Sequence, residues 1–136
     1  MANLPTPTEA QEAHTLMAYM KLRGLKYTHI KNETGRPVAG AKVRNWKAVW
    51  DARDGVSPGF PDFAIVLPHR GLLLIELKRT KGSKTSPEQL DWIGALNTCP
   101  GVEAHVIKGA EASIKLIEEL LPMEPSHEGI TYSDTF

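Results

Sequence analysis

Three charged residues stand where a buried β-hairpin should carry none. Asp62 precedes the apolar run Phe63–Leu67, and Glu76 and Lys78 close a second apolar run that begins at Leu72. A loop containing proline and glycine joins the two runs, which predicts a hairpin. Because strand side chains alternate, Glu76 and Lys78 share one face, and closing the hairpin brings Asp62 opposite Glu76 to within one residue.

Two carboxylates and an ammonium on one small patch point to metal-assisted hydrolysis. Paired carboxylates repel each other unless a cation joins them or one takes a proton. Mg²⁺ binds through one or two carboxylates together with substrate phosphate, and a neighbouring lysine can orient a water molecule or neutralise charge on phosphorus. The alternative is an exposed strand end with solvated charges, which the four apolar residues before Glu76 and the Pro-Asp pair disfavour.

The residues around this patch form a longer and more specific pattern: GVSPGFPD at 55–62, LIELK at 74–78 and SPEQ at 86–89. This pattern resembles the VRR-NUC branch of the PD-(D/E)xK nuclease superfamily, and the resemblance extends over residues 8–121. It implies phosphodiester hydrolysis with Mg²⁺ or Mn²⁺ as cofactor. The metal would be held by Asp62, Glu76 and the carbonyl group of Leu77, with Lys78 as a catalytic residue.

The start of the chain supplies a further candidate ligand. Thr8-Glu9-Ala10-Gln11 is a capping box, which predicts a helix that continues to about Leu22. At 100° per residue, Glu9 projects onto the apolar face of this helix, whereas Glu12 points about a quarter-turn away. A first-turn glutamate is also favoured by the helix dipole alone. The resemblance implies an acidic metal ligand from the first helix, so Glu9 is the expected ligand and Glu12 the alternative.

A second capping box, Ser86-Pro87-Glu88-Gln89, starts a helix after the hairpin. Gln89 is either a reciprocal helix cap or the active-site glutamine that the resemblance implies, and the two roles are compatible. Asn32 and Glu33 are weaker candidates. They follow a predicted strand in a region that resembles a Pro-Asn segment of related sequences, but Lys31 replaces the proline here.

The distribution of charge is compatible with DNA as partner, although the net charge is zero. Residues 21–53 hold nine lysines and arginines against two acids, whereas residues 118–136 hold five acids and no lysine or arginine. A basic half can follow phosphates despite a neutral sum, although a solvated polar region is the alternative. The residues expected to contact the DNA backbone flank the catalytic strands: Arg53, Arg79, Lys81 and Lys84.

The order of predicted elements favours an α/β fold. Helix 8–22 is followed by a short strand near 26–31, a helix over 39–53, the hairpin, a helix over 87–97, a strand over 102–107 and a helix over 110–121. Trp46 and Trp50 in the second helix are expected in the core or a dimer contact. The crossover from Lys78 to strand 102–107 predicts a right-handed parallel unit. We therefore expect a restriction-endonuclease-like core, a mixed β-sheet flanked by α-helices, in one domain over 8–121 with flexible termini at 1–7 and 122–136.

Several other functions are disfavoured by the sequence. The five histidines are scattered and Cys99 is the only cysteine, so neither zinc nor a disulfide is expected. There is no phosphate-loop pattern, and hence no nucleotide cofactor is expected. Without an apolar run of ~20 residues or a secretory signal, we expect no membrane association and a cytoplasmic location, that of the bacterial host if the protein is phage-encoded.

These observations predict a Mg²⁺- or Mn²⁺-dependent endodeoxyribonuclease. A 15.0 kDa domain without a separate sequence-reading module favours recognition of DNA structure over DNA sequence. The chain resembles small phage-encoded proteins of a family that includes homodimers resolving four-way junctions, which implies a dimeric Holliday-junction resolvase. The alternatives are a flap or nicking endonuclease that acts as a monomer, and a non-catalytic DNA-binding subunit that retains the nuclease fold.

Overall fold

The computed structural model describes residues 5–30 and 57–122, and these residues form one sheet with three helices. Some predictions of the sequence analysis lie outside this range and stay predictions. They concern the helix over 39–53 with its two tryptophans, most of both termini, and the candidate residues Asn32, Glu33 and Arg53.

The three described helices begin where the sequence predicts them. Helix α1 spans Glu9–Leu22, and its capping box is complete because the Thr8 and Gln11 side chains each bond the backbone N–H of the other residue. Helix α2 spans Pro87–Leu96 and has the same kind of box at Ser86. Helix α3 spans Ala110–Leu120 and has no side-chain cap of its own. None of these helices is long and apolar enough to cross a membrane.

Four strands form a mixed sheet in the order β1-β2-β3-β4. They are β1 (Tyr27–His29), β2 (Phe63–Leu67), β3 (Gly71–Lys78) and β4 (Val102–Lys108). The β1–β2 and β2–β3 pairs are antiparallel, whereas β3 and β4 are parallel and are connected through α2. The predicted α/β architecture with a mixed sheet is therefore confirmed.

The register of the hairpin decides which charged residues meet. Phe63 pairs with Ile75 across β2 and β3, so Asp62 comes opposite Glu76, as the sequence predicted. Phe63, Ile75 and their neighbours on the same face are fully buried against α1 and α3. A slip of one residue would move this entire apolar set to the other face of the sheet. Core packing therefore also fixes the position of the two carboxylates.

The start of β3 is held close to the start of β4 by two glycines. The Leu72 N–H donates to the Gly101 carbonyl oxygen at 2.8 Å, and a Cβ on Gly71 would overlap with that same oxygen. Gly71 also has a φ of +147°, which L side chains rarely adopt. This contact sets the parallel register that brings Lys108 beside Lys78 at the other end of the two strands.

Candidate active site

Asp62 lies at the end of the sheet where β2 begins and β3 ends. Its Oδ2 atom accepts a hydrogen bond from the Leu77 backbone N–H at 3.2 Å. Its carbonyl oxygen accepts a bond from the Ile30 N–H at 2.6 Å, which holds the end of β1 against it. The end of β1 therefore holds the Asp62 backbone, and the Leu77 N–H at the end of β3 holds its carboxylate.

Glu76 is the buried member of the carboxylate pair, with a relative exposure of 3%. Burial is the main cause that raises its pKa from an ordinary value of 4.5 to about 9. The hydrogen bond with the Asp62 side chain and the negative charge of Asp62 raise the pKa further, whereas the Lys78 ammonium lowers it. Without a cation beside it, Glu76 therefore keeps its proton at neutral pH.

Gln89 both caps its helix and contacts the active-site carboxylate, the two roles that the sequence left open. Its Oε1 atom accepts from the Ser86 backbone N–H at 2.9 Å, which completes the capping box of α2. Its Nε2 atom donates to Glu76 Oε1 at 3.1 Å. One amide group therefore caps the helix with its oxygen and holds the buried carboxyl with its nitrogen.

We predict that Gln89→Glu separates these two contacts. A glutamate at the third helical position still accepts from the Ser86 N–H, but it cannot donate to Glu76 and adds a like charge beside it. Cleavage should fall by about ten- to a hundredfold, the worth of a hydrogen bond to a charged group, while α2 keeps its cap. Steady-state cleavage and thermal unfolding measure the two effects.

The matched control for this prediction is Ser86→Ala. That variant removes the hydroxyl that accepts from the Gln89 N–H, at a cost of about 1 kcal/mol, and leaves the bond to Glu76 in place. We expect it to lower the melting temperature with little change in cleavage. Equal losses of cleavage in both variants would show that Gln89 acts only as a cap.

The loop before Asp62 is seated on the first turn of α2. Gly59 has a φ of +93°, and a Cβ placed on it would lie 2.7 Å from the Glu88 carbonyl carbon and 2.8 Å from the Gln89 nitrogen. The ring of Phe60, in this loop, makes an edge-to-face contact with the ring of Trp92 in α2, with ring centroids 5.0 Å apart. This contact brings the start of α2 to the end of the sheet, and explains how Gln89 reaches Glu76.

A small cavity of about 130 Å³ lies between α1 and the carboxylate end of the sheet. Glu9, Asp62, Phe63 and Leu77 line it together with His29 and two alanines of α1. The N–H and C=O groups of one strand residue point to the same neighbouring strand, so the Leu77 carbonyl faces the side on which Asp62 accepts from its N–H. The exposed Glu9 of α1 and the end of β3 at Leu77 therefore line the same cavity.

The donors at this end of the sheet fit a hard divalent cation. They are carboxylate and carbonyl oxygens, the ligands that Mg²⁺ and Mn²⁺ prefer. Within residues 5–30 and 57–122, no three histidine, cysteine, aspartate or glutamate side chains converge to form a metal site by themselves. A site of two carboxylates, one carbonyl group and water or phosphate is the kind that Mg²⁺ uses, and a cation between Asp62 and Glu76 would relieve their repulsion.

Glu12 is buried, with a relative exposure of 9%, although it lies about a quarter-turn from the apolar stripe of α1. Its Oε2 atom accepts from the Ala110 backbone N–H at 3.1 Å. Helix α1 packs against α3 as well as against the sheet, so its buried arc is wider than the apolar stripe indicates. Glu12 is directed at α3, and it is Glu9 that lines the cavity.

His29 is a residue at the site that the sequence analysis did not select. Its ring stacks on Phe63, with centroids 4.4 Å apart and an interplanar angle of 9°, and it lines the same cavity as Asp62. In the sequence, His29 is one of five scattered histidines, and nothing distinguishes it from the others. It lies near Asp62 because His29 pairs with Phe63 across β1 and β2.

The described basic residues that are candidates for DNA contacts lie at the C-terminal end of β3 and in the loop after it. Lys78 and Arg79 are partly buried, whereas Lys81 and Lys84 are exposed. The buried Nε atom of Arg79 has no hydrogen-bond partner within the described part of the chain. Lys108, the last residue of β4, is paired in register with Lys78 and adds an exposed ammonium that the sequence analysis did not single out.

A larger cavity of about 380 Å³ lies at the opposite end of the sheet, near the turn between β2 and β3. Its charged side chains are Arg70 and Glu103, which form an ion pair at 3.2 Å. A paired arginine and glutamate offer neither two neighbouring carboxylates nor an unpaired cation. This cavity therefore lacks the pair of carboxylates that lies beside the smaller cavity at Asp62.

Comparisons with known proteins identify the family of this chain. The model of the VRR-NUC domain family matches residues 8–111, which include every described element except most of α3. A solved structure described as a VRR_NUC domain protein is similar over 85% of this chain and 89% of its own, with 25% sequence identity and a TM-score of 0.65. No curated protein matches the chain. Because the family model covers most of the chain, the protein belongs to the VRR-NUC domain family, a family of nucleases.

Proposed function

We propose that this protein is a metal-dependent, structure-selective DNA endonuclease that hydrolyses phosphodiester bonds. The observation that supports this most strongly is the opposition of Asp62 and Glu76 across the hairpin, with Lys78 on the same face of β3. The raised pKa of Glu76 is typical of a functional carboxylate rather than of a solvated strand end.

Each residue at the site has a distinct proposed role. Asp62, Glu76 and the Leu77 carbonyl would hold Mg²⁺ or Mn²⁺, with Glu9 on the opposite wall of the cavity. A divalent cation bound there supplies Lewis-acid polarisation of the scissile phosphate and a lower pKa for water. The Lys78 ammonium orients the attacking water or neutralises charge that develops on phosphorus.

The proposed substrate is branched DNA, cut by a homodimer at a four-way junction. The resemblance to small junction-resolving relatives favours this substrate, and a two-fold dimer would present one site to each of two strands. The basic residues Arg79, Lys81 and Lys84 directly follow the strand that carries Glu76 and Lys78, and they are the proposed contacts to DNA phosphates. A cytoplasmic location, that of the bacterial host for a phage-encoded enzyme, accompanies this proposal.

A cleavage panel tests the proposal. Labelled four-way junction, flap, linear duplex and single-stranded DNA are incubated with the full chain in Mg²⁺ and in Mn²⁺, and light scattering gives the oligomeric state. Asp62→Asn is the matched control, because an asparagine oxygen still accepts from the Leu77 N–H while the carboxylate is lost. We expect paired, symmetric nicks on the junction that disappear in Asp62→Asn.

Other patterns of cleavage would lead to other functions. Cutting of the flap by a monomer, without paired nicks, identifies a flap or nicking endonuclease. DNA binding without cleavage in either metal contradicts the catalytic proposal and identifies a binding subunit with a nuclease fold. Cleavage that survives in Asp62→Asn places the active site elsewhere.

A further inference from the structure

Glu12 is a buried carboxylate to which the proposed chemistry assigns no role. It lies one turn after Glu9 on α1 and accepts from the Ala110 N–H, the first N–H of α3. The residue before this helix is Gly109, which has no side chain to cap it. A carboxylate at a helix N-terminus satisfies an otherwise unpaired N–H and interacts favourably with the helix dipole. Glu12 therefore replaces the missing cap from another helix.

The same turn is bonded to the end of the catalytic strand. The Gly109 N–H donates to the carbonyl oxygen of Lys78 at 2.9 Å. Gly109 has a φ of +91°, and a Cβ placed on it would lie 2.9 Å from Glu12 Oε2 and 2.9 Å from Thr80 Cγ2. The close approach of Glu12 to this turn therefore requires glycine. A continuous path of contacts runs from α1, through Gly109 and Ala110, to the backbone of Lys78.

This path fixes the position of α1 along the sheet. Glu9 and Glu12 are three residues apart, so they are separated by about 4.5 Å along the helix axis. The apolar contacts of α1, through Leu16 and Met20, are non-directional and tolerate small sliding or rotation of the helix. The bond from Glu12 to Ala110 is directional and lies in the first turn of α1, near Glu9. A second polar contact between α1 and α3, from the Tyr19 hydroxyl to Glu118 Oε1 at 3.3 Å, lies near the far end of α1 and does not fix its first turn.

We propose that Glu12 is a positioning residue, which ties the first turn of α1 to the end of β3 and thereby holds Glu9 at the metal cavity beside Asp62. This inference rests on the proposed function, because it assumes that Glu9 contributes to metal binding. Glu12 itself contacts neither metal nor substrate; it acts through the location of Glu9.

The test uses Glu12→Ala and Glu12→Gln in the full chain, with Mn²⁺ binding measured by calorimetry in the absence of DNA. Loss of the tie should weaken Mn²⁺ binding by about fivefold or more. It should lower kcat on the four-way junction by about tenfold, with little change in KM, because basic residues outside α1 contact the substrate. Glutamine still accepts from the Ala110 N–H, so Glu12→Gln should restore most of both quantities.

Ile117→Val is the control for loss of stability alone. Ile117 is fully buried in α3, and the substitution should lower the melting temperature by a few degrees without disturbing the bond from Glu12. We expect its Mn²⁺ affinity to remain that of the wild type. If Glu12→Ala is folded and keeps the Mn²⁺ affinity and kcat of the wild type, the positioning role is overturned, although the proposed function stands.

A further variant covers the case in which Glu12→Ala does not fold. Glu12→Asp keeps the carboxylate but shortens the side chain by about 1.5 Å, so α1 must shift to preserve the bond. The same loss of Mn²⁺ affinity is expected, and an unchanged affinity would overturn the inference. If the wild type neither binds Mn²⁺ nor cleaves any DNA, the proposed function fails. If the wild type is active and the variants are unaffected, only the positioning role of Glu12 fails.

Discussion

Glu76→Gln should abolish cleavage and at the same time stabilise the metal-free protein. The substitution removes a proposed metal ligand, and the several kcal/mol of transition-state stabilisation that a metal supplies corresponds to about a thousandfold or more in rate. A glutamine at this position can accept from Gln89 and donate to Asp62, so the hydrogen bonds of the buried site remain satisfied without a titrating group.

The pH dependence of stability gives this prediction its sign. Folded Glu76 keeps its proton up to about pH 9, whereas an ordinary glutamate loses it near pH 4.5, so the folded chain holds an extra proton between these values. The free energy of unfolding of the metal-free wild type should therefore fall as the pH rises from about 5 to 9. Glu76→Gln removes this dependence and should be more stable than wild type by about 2 kcal/mol at pH 8.

Denaturant unfolding at pH 5 and pH 8, with and without Mg²⁺, measures these effects. Mg²⁺ should stabilise the wild type by binding the folded state, and it should have little effect on Glu76→Gln. Glu119→Gln, at an exposed position of α3, is the matched control and should behave as wild type. If Glu76→Gln is less stable than the wild type at pH 8, burial of the Glu76 carboxylate does not destabilise the metal-free protein, and the prediction is wrong.

Lys78→Met should lower cleavage by about a hundred- to ten-thousandfold while Mn²⁺ binding persists. The variant keeps a side chain of similar length but loses the ammonium that would orient water or neutralise developing charge. It also removes the charge that lowers the pKa of Glu76, so this pKa should rise further and Mn²⁺ binding should need a higher pH. Single-turnover cleavage at saturating Mn²⁺, together with calorimetry across pH, separates the two consequences.

Lys108→Met is the control that the fold offers for this experiment. Lys108 ends β4 in register with Lys78, and it is exposed. Loss of this second ammonium should weaken DNA binding modestly and reduce its dependence on salt, with little effect on the chemical step. If Lys78→Met cleaves within tenfold of wild type at saturating Mn²⁺, the lysine acts as a DNA contact rather than in catalysis.

The sequence by itself determined the local structure and the central pair of carboxylates. Two capping boxes located the starts of α1 and α2, because the residues that satisfy the first N–H groups of a helix lie within four positions of each other. The short loop between two apolar runs limited the register of the hairpin, so the opposition of Asp62 and Glu76 could be predicted to within one residue without coordinates. These features depend on contacts between residues that are close along the chain.

Only the tertiary structure decided the contacts that cross between distant elements. Helix periodicity placed Glu12 away from the apolar stripe, but the packing of α1 against α3 buried it on the N–H of Ala110, 98 residues further along the chain. The pairing of β1 with β2 brought His29 to the cavity, and the seating of Gly59 on α2 directed Gln89 at Glu76. A sequence pattern reports which face of an element is apolar; which neighbour covers that face, and which polar groups then meet, depends on how all the elements pack together.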